Sequence, residues 1–226
     1  MSGVAARLAE VRARIDRAAR ACGRDGAAVR LVAVSKTKPP EAIREAYAAG
    51  QRAFGESYAQ ELEQKAEALA DLADLEWHFV GHLQTNKARV VARHAHFVHA
   101  VDSVPLAREL GKRAAKEQKG VLRVLIEVNI GGEPQKAGAT PGDLAEVIAA
   151  VQAQPSLELR GLMTIPPAGD PAAARWVFQT LASLRNLHAK MAALPELSMG
   201  MSADLEVAVE CGATCVRVGT AIFGGR

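Results

Sequence analysis

The chain has 226 residues, 49% hydrophobic and 23% charged, and its 28 basic and 25 acidic residues leave a net charge of +3. That is apolar material for one sizeable core, and the mild, interspersed charge with 4% aromatic residues argues against a nucleic-acid binder. There is no apolar run of membrane-spanning length and no apolar signal-peptide core in the charged N-terminus, and the three cysteines form an odd, sparse set that fits the cytoplasm.

Val4, Leu8, Val11, Ile15 and Cys22 recur at helical spacing and predict an amphipathic helix over 4–22, ended by Gly23 and Gly26. LVAVS (31–35) is a β-branched apolar run, read as a strand buried on both faces, and two prolines stop it at 39 and 40. The same alternation continues along the chain. Strands are predicted at 52–57, 76–81, 96–102, 121–129, 157–165, 196–201 and 214–219. Helices are predicted at 40–49, 58–70, 82–95, 104–118, 141–153, 171–193 and 203–211. Ser103, Thr140, Asp170 and Ser202 are the expected N-caps, with Pro141 and Pro171 as first helical residues. Strand alternating with helix, without a second zone of composition, predicts one domain over 1–226: a single (β/α)8 TIM barrel with an extra N-terminal helix. A doubly wound open sheet is the alternative. The chain stops seven residues after Gly219, so no final helix is expected, and the N-terminal helix is available to cover that side.

In a parallel barrel the chemistry collects at the carboxyl ends of the strands. Strand one ends at Lys36. Alone, Lys36 reads first as a strand cap that snorkels to water. An amine held away from water gives up its proton more readily and can form a Schiff base. Strand seven ends in SMGMSAD and strand eight in RVGTAIFG. Ser202 either caps a helix or offers a hydroxyl to an anion. Gly219 and Thr220 either end a strand or bring backbone N–H groups to the same anion. Arg217 alternates with Val216 and Val218, so it faces either the barrel interior or the helix layer. An amine, an anion cup and an inward arginine together suit a phosphorylated aldehyde, and pyridoxal phosphate (PLP) has the aldehyde, the phosphate and a ring nitrogen for Arg217.

The blocks VAVSKTKP (33–39), FGESYAQE (54–61), WHFVGHLQTNK (77–87), VNIGGEPQKAG (128–138), GLMTI (161–165) and SMGMSADLEVAVECGATCVRVGTAIFG (198–224) carry a resemblance to the pyridoxal phosphate homeostasis proteins. Their barrel is similar to the N-terminal domain of alanine racemase. The resemblance implies a covalent aldimine between PLP and Lys36, a phosphate held by Ser202, Gly219 and Thr220, and Arg217 at the pyridine nitrogen. It places Asn86 and Lys87 after strand three, Met163 at the end of strand six, and Lys38 and Lys136 near the cofactor mouth. The family commonly has Asn where this chain has Ser57, so a hydroxyl replaces only part of any amide contact there.

A racemase needs acid/base groups on both faces of the substrate carbon. The racemase relatives take the second from a separate domain of a partner subunit, and no such domain is expected here. Tyr47 falls mid-helix, and Tyr58, near the end of strand two, is the nearer tyrosine. The expectation is a PLP-binding protein that takes part in PLP homeostasis, holding and supplying PLP without robust catalysis and acting as a monomer, with PLP-requiring apo-enzymes as partners. A PLP-dependent racemase is the alternative. No metal site is expected: His94, His96 and His99 have the wrong parity to gather, and Cys211 and Cys215 read as buried apolar fillers. His82, after Gly81 at a strand end, is a further candidate to line the site.

Overall fold

The computed structural model describes residues 3–117, 120–133 and 136–225. The apolar runs form eight parallel strands: β1 (Arg30–Val34), β2 (Ala53–Glu56), β3 (Glu76–Phe79), β4 (Phe97–Val101), β5 (Leu122–Glu127), β6 (Leu157–Met163), β7 (Glu196–Ser198) and β8 (Cys215–Val218). They pair in chain order, and β8 closes on β1 with Val218 opposite Ala33. The result is the closed barrel that the alternation predicts, and the open sheet is ruled out. Around it lie α1 (Val4–Ala21), α2 (Pro40–Ala48), α3 (Ala59–Ala68), α4 (Ala88–His94), α5 (Val104–Glu117), α6 (Leu144–Gln152), α7 (Pro171–Leu187), α8 (Leu205–Glu210) and the one-turn α9 (Thr220–Phe223).

Strand alternation sorts the core into two shells. Phe54, Phe79, Val98, Ile126 and Leu162 face the helices and are fully buried. Inside the barrel, Val32, Ala53 and Cys215 form one packed group, and Phe97, Leu125 and Met163 form another. The amino-terminal mouth is closed by ion pairs, with Glu76 shared by Arg123 at 3.1 Å and Arg30 at 3.4 Å, and Arg160 on Glu196 at 3.3 Å.

α1 packs on α8, α9 and α2, covering the side that lacks a long helix after β8. Val4, Leu8, Val11, Ile15, Ala18 and Ala19 are its buried face. Arg14 ties it to Glu206 of α8 at 2.6 Å, and the Val4 N–H donates to Glu45 Oε1 of α2 at 2.8 Å. Cys22 does not belong to that face: it is the C-cap residue, beyond the last turn, and is exposed. Of the other two cysteines, Cys215 is a buried filler and Cys211 only partly buried.

Several helix ends differ from expectation, each for a local reason. α6 begins at Leu144, because the Thr140 hydroxyl accepts the Asp143 N–H at 3.2 Å and closes a turn ahead of the helix. α7 starts as predicted, with Asp170 Oδ1 accepting the Ala172 and Ala173 N–H groups at 2.9 and 3.0 Å, but stops at Leu187. α8 starts at Leu205 behind Asp204, not behind Ser202: Asp204 Oδ1 takes the Met201 N–H at 2.5 Å and leaves the serine hydroxyl free for another partner. The segment after Gly219, expected without a helix, winds into α9. The stretch 82–95 divides into a 3-10 turn, Thr85–Lys87, and α4. Position 118, the predicted end of α5, lies outside the described residues.

Candidate functional site

Val32 and Val34 share one face of β1, and Lys36 keeps that parity just past the strand end. The partly buried Lys36 lines a cavity of about 440 Å³ at the carboxyl ends of the strands. Its walls are Ser57 and Tyr58 after β2, Val80, Gly81 and His82 after β3, Glu127, Val128 and Asn129 of β5 and beyond, Lys136 and Ala137 from the loop that follows, and Ile165 after β6. A Cβ on Gly81 would stand 2.4 Å from the Ser57 carbonyl oxygen, so glycine is what lets β3 close against the end of β2 here.

Arg217, left undecided by alternation, lies in the barrel interior and is 4% exposed. Its Nη1 donates to Ser198 Oγ at 2.6 Å and its Nη2 to the Thr164 carbonyl at 3.0 Å. Ser198 Oγ also meets His99 Nδ1 at 2.9 Å, and His99 Nε2 meets His78 Nδ1 at 2.9 Å. His78 Nε2 then faces Glu76 Oε2 across 3.7 Å at the opposite mouth. Burial lowers the pKa of both histidines, that of His99 to well below 6.5. Glu76 is held at about 2 by its contacts with His78 and Arg123. At the upper end, burial pushes Glu127 up to about 7 against the opposing pull of Arg217.

Ser202, Gly219 and Thr220 meet beside β1. The Ser202 hydroxyl accepts the Ala221 N–H at 3.2 Å across the first turn of α9. Gly219 continues β8 next to β1, and a Cβ there would come within 3.1 Å of the Val34 carbonyl. This trio is not part of the wall of the Lys36 cavity.

The structure thus gathers Lys36, Ser57 and Lys136 around one cavity, and Lys136 also pairs with Glu133 at 2.5 Å. Asn86 is exposed and lines an adjoining cavity of about 710 Å³ that shares His82 and Ala137 with the first. Met163 is fully buried against Phe97 and Leu125, in the barrel interior. Lys38 is turned to the C-terminus, donating to the Gly225 carbonyl at 2.6 Å. Of the expected tyrosines, Tyr58 lines the cavity, half exposed, whereas the Tyr47 hydroxyl is bonded to Asp74. The three spaced histidines do not gather: His94 faces Glu63 across 3.8 Å, His96 accepts the Trp77 N–H at 2.9 Å, and His99 is inside the barrel. Glu127 is the site residue that sequence reasoning missed. It has the parity of the interior residue Leu125 and ends the strongest strand, which was the available signal.

A closed parallel barrel with an inward lysine at the end of its first strand places the chain in a class represented by the description "Alanine racemase, N-terminal domain", which matches residues 6–226. A Pseudomonas aeruginosa protein named "Pyridoxal phosphate homeostasis protein" is 49% identical over 228 residues, covering 100% of this chain and 97% of that one. PipY from Synechococcus elongatus, solved without PLP, is 40% identical and superposes with a TM-score of 0.88 over 98% of this chain and 100% of its own. The same protein with PLP bound superposes at 0.85 over the same shares. The chain belongs to the pyridoxal phosphate homeostasis protein family.

Proposed function

We propose that this protein holds pyridoxal phosphate as an aldimine of Lys36 and releases it to PLP-requiring apo-enzymes in the cytoplasm, without steady turnover of amino acids. The observation that carries the reading is the position of Lys36, which keeps the inward parity of β1 and lines a cavity of about 440 Å³ at the mouth where parallel barrels hold ligands. The residues present fit the cofactor. The amine answers the aldehyde; Ser202, Gly219 and Thr220 would give a hydroxyl and N–H groups to a phosphate beside β1, and Arg217, in the barrel interior, would answer the ring nitrogen. Relatives that carry the cofactor in their name, and a neighbour solved with PLP, support the same reading. The bound aldehyde supplies an electrophile for amines, and keeping it on one lysine limits its reaction with stray ones. Arg217 stays protonated at ordinary pH and so does not act as the acid that a strong electron sink requires.

Purified protein incubated with PLP should turn yellow, and borohydride should fix the adduct on the Lys36 peptide. Lys36→Ala should remain colourless. Incubation with L- or D-alanine should give no sustained racemisation. Steady racemisation by pure protein would put the racemase reading ahead, with Tyr58, half exposed in the cavity wall, as the group to test first. We also propose that the protein acts as a monomer, which sedimentation should report as a 23.9 kDa species.

A further inference from the structure

Residues 35–38 form a turn in which the Lys38 N–H donates to the Ser35 carbonyl at 3.0 Å, with Lys36 and Thr37 in its two central positions. Thr37 has φ of +64°, and it is the one non-glycine with positive φ among the described residues. A turn with left-handed backbone at its third position ordinarily recruits glycine. A β-branched residue persists there only where its surroundings over-determine the conformation.

The surroundings are a compact ion cluster. The Thr37 N–H donates to Glu61 Oε2 at 2.8 Å. Lys65 Nζ donates to the same oxygen at 2.9 Å, to Glu56 Oε1 at 2.8 Å and to the Ser35 carbonyl at 2.8 Å. The Ser35 hydroxyl completes the set on Glu56 Oε1 at 2.7 Å. All three donors of the lysine are therefore used, and its side chain is 8% exposed beside a Glu56 side chain at 0%. Glu61 and Lys65 stand one turn apart on α3, and Glu56 ends β2. The residues on both sides of Lys36 are thus held by groups that never reach the cavity.

We propose that Glu61 is a positioning residue for Lys36: through the Thr37 N–H it keeps the 35–38 turn in the left-handed conformation that directs the Lys36 side chain into the cavity, while Lys65 and Glu56 hold the carboxylate in place. This deepens the reading of Lys36 as the PLP-bearing amine, but its geometry stands without PLP.

The test compares the parent, Glu61→Ala, Glu61→Gln and the double variant Glu61→Ala with Thr37→Gly. Two probes are used: reductive methylation by formaldehyde and borohydride, mapped lysine by lysine, and uptake of PLP followed by its colour. In Glu61→Ala the turn should relax and release Lys36 outward, so that Lys36 methylates several-fold faster while the lysines other than Lys65, which itself loses a partner, keep the parent rate. PLP uptake should slow roughly tenfold, as expected for the loss of one charge-assisted hydrogen bond. Glycine at 37 adopts the left-handed conformation without help, so the double variant should return both readouts toward the parent. Glu61→Gln, which keeps an acceptor oxygen, should lie between. Unchanged Lys36 methylation in Glu61→Ala, equal acceleration of all lysines, or a double variant that behaves like Glu61→Ala overturns the proposal. A parent protein that takes up no PLP refutes the proposed function alone, because the methylation pattern still decides the role of Glu61.

Discussion

Glu127 ends β5 with 7% of its surface exposed, and burial pushes its carboxyl up to about 7. In the unfolded chain the group titrates near its ordinary 4.5, so between those values the folded protein binds the extra proton. The contribution to stability is whole below about pH 4.5 and is lost as the pH rises through 7, by about 3 kcal/mol. Burial shifts Glu56 in the same direction, while the lowered pKa values of His78 and His99 make stability rise with pH on the acid side. The comparison that isolates the group is therefore parent against Glu127→Gln. The parent's urea midpoint, followed from pH 5 to 8, should fall more steeply than the variant's. Lys36 could be read in advance because a lysine at the end of an apolar strand breaks the pattern around it. Glu61 and Lys65 could not, because a glutamate and a lysine four apart on a helix look like an ordinary solvated pair. Only the fold shows that they lie under the 35–38 turn.

At the scale of the elements, apolar runs located every strand, because the polar residues that interrupt them, such as Arg123 and Arg160, are outnumbered by apolar neighbours buried on both faces. Helix ends were harder. Asp204 and Ser202 are both good N-caps, and the choice between them turns on which one the 201–204 turn consumes. α1 was legible as an amphipathic helix, but Cys22 was assigned to its buried face because spacing alone does not say where the last turn stops. Leu8 is wholly buried in that face, and Leu8→Ala should cost about 2–5 kcal/mol in urea unfolding. The cluster joining β2 to α3 should be more sensitive still. Lys65→Met leaves the Glu56 and Glu61 carboxylates without their shared cation, and a loss of roughly 3–5 kcal/mol is expected. Glu56→Gln in the same chain, which returns the cluster to its parent net charge, should recover part of it.

For the molecule as a whole, alternation of strand and helix gave the architecture, while the contents of the barrel were hidden. His78, His99 and Ser198 are far apart in sequence and none breaks a pattern, so nothing marked them as neighbours. Their column has a consequence of its own. A guanidinium gives protons only, and a carboxylate held at about 2 receives them only. With burial favouring the neutral form of both rings, one orientation satisfies the row: Arg217 donates to Ser198, Ser198 to His99 Nδ1 and His99 Nε2 to His78 Nδ1, which turns the His78 Nε2–H toward Glu76 Oε2 across 3.7 Å, beyond hydrogen-bond reach. Nitrogen NMR tests that orientation, which predicts both rings protonated at Nε2 and a mixed assignment in Arg217→Met. In that orientation the barrel axis carries a polarity, as a compass needle does, and the arginine at one end sets which way it points.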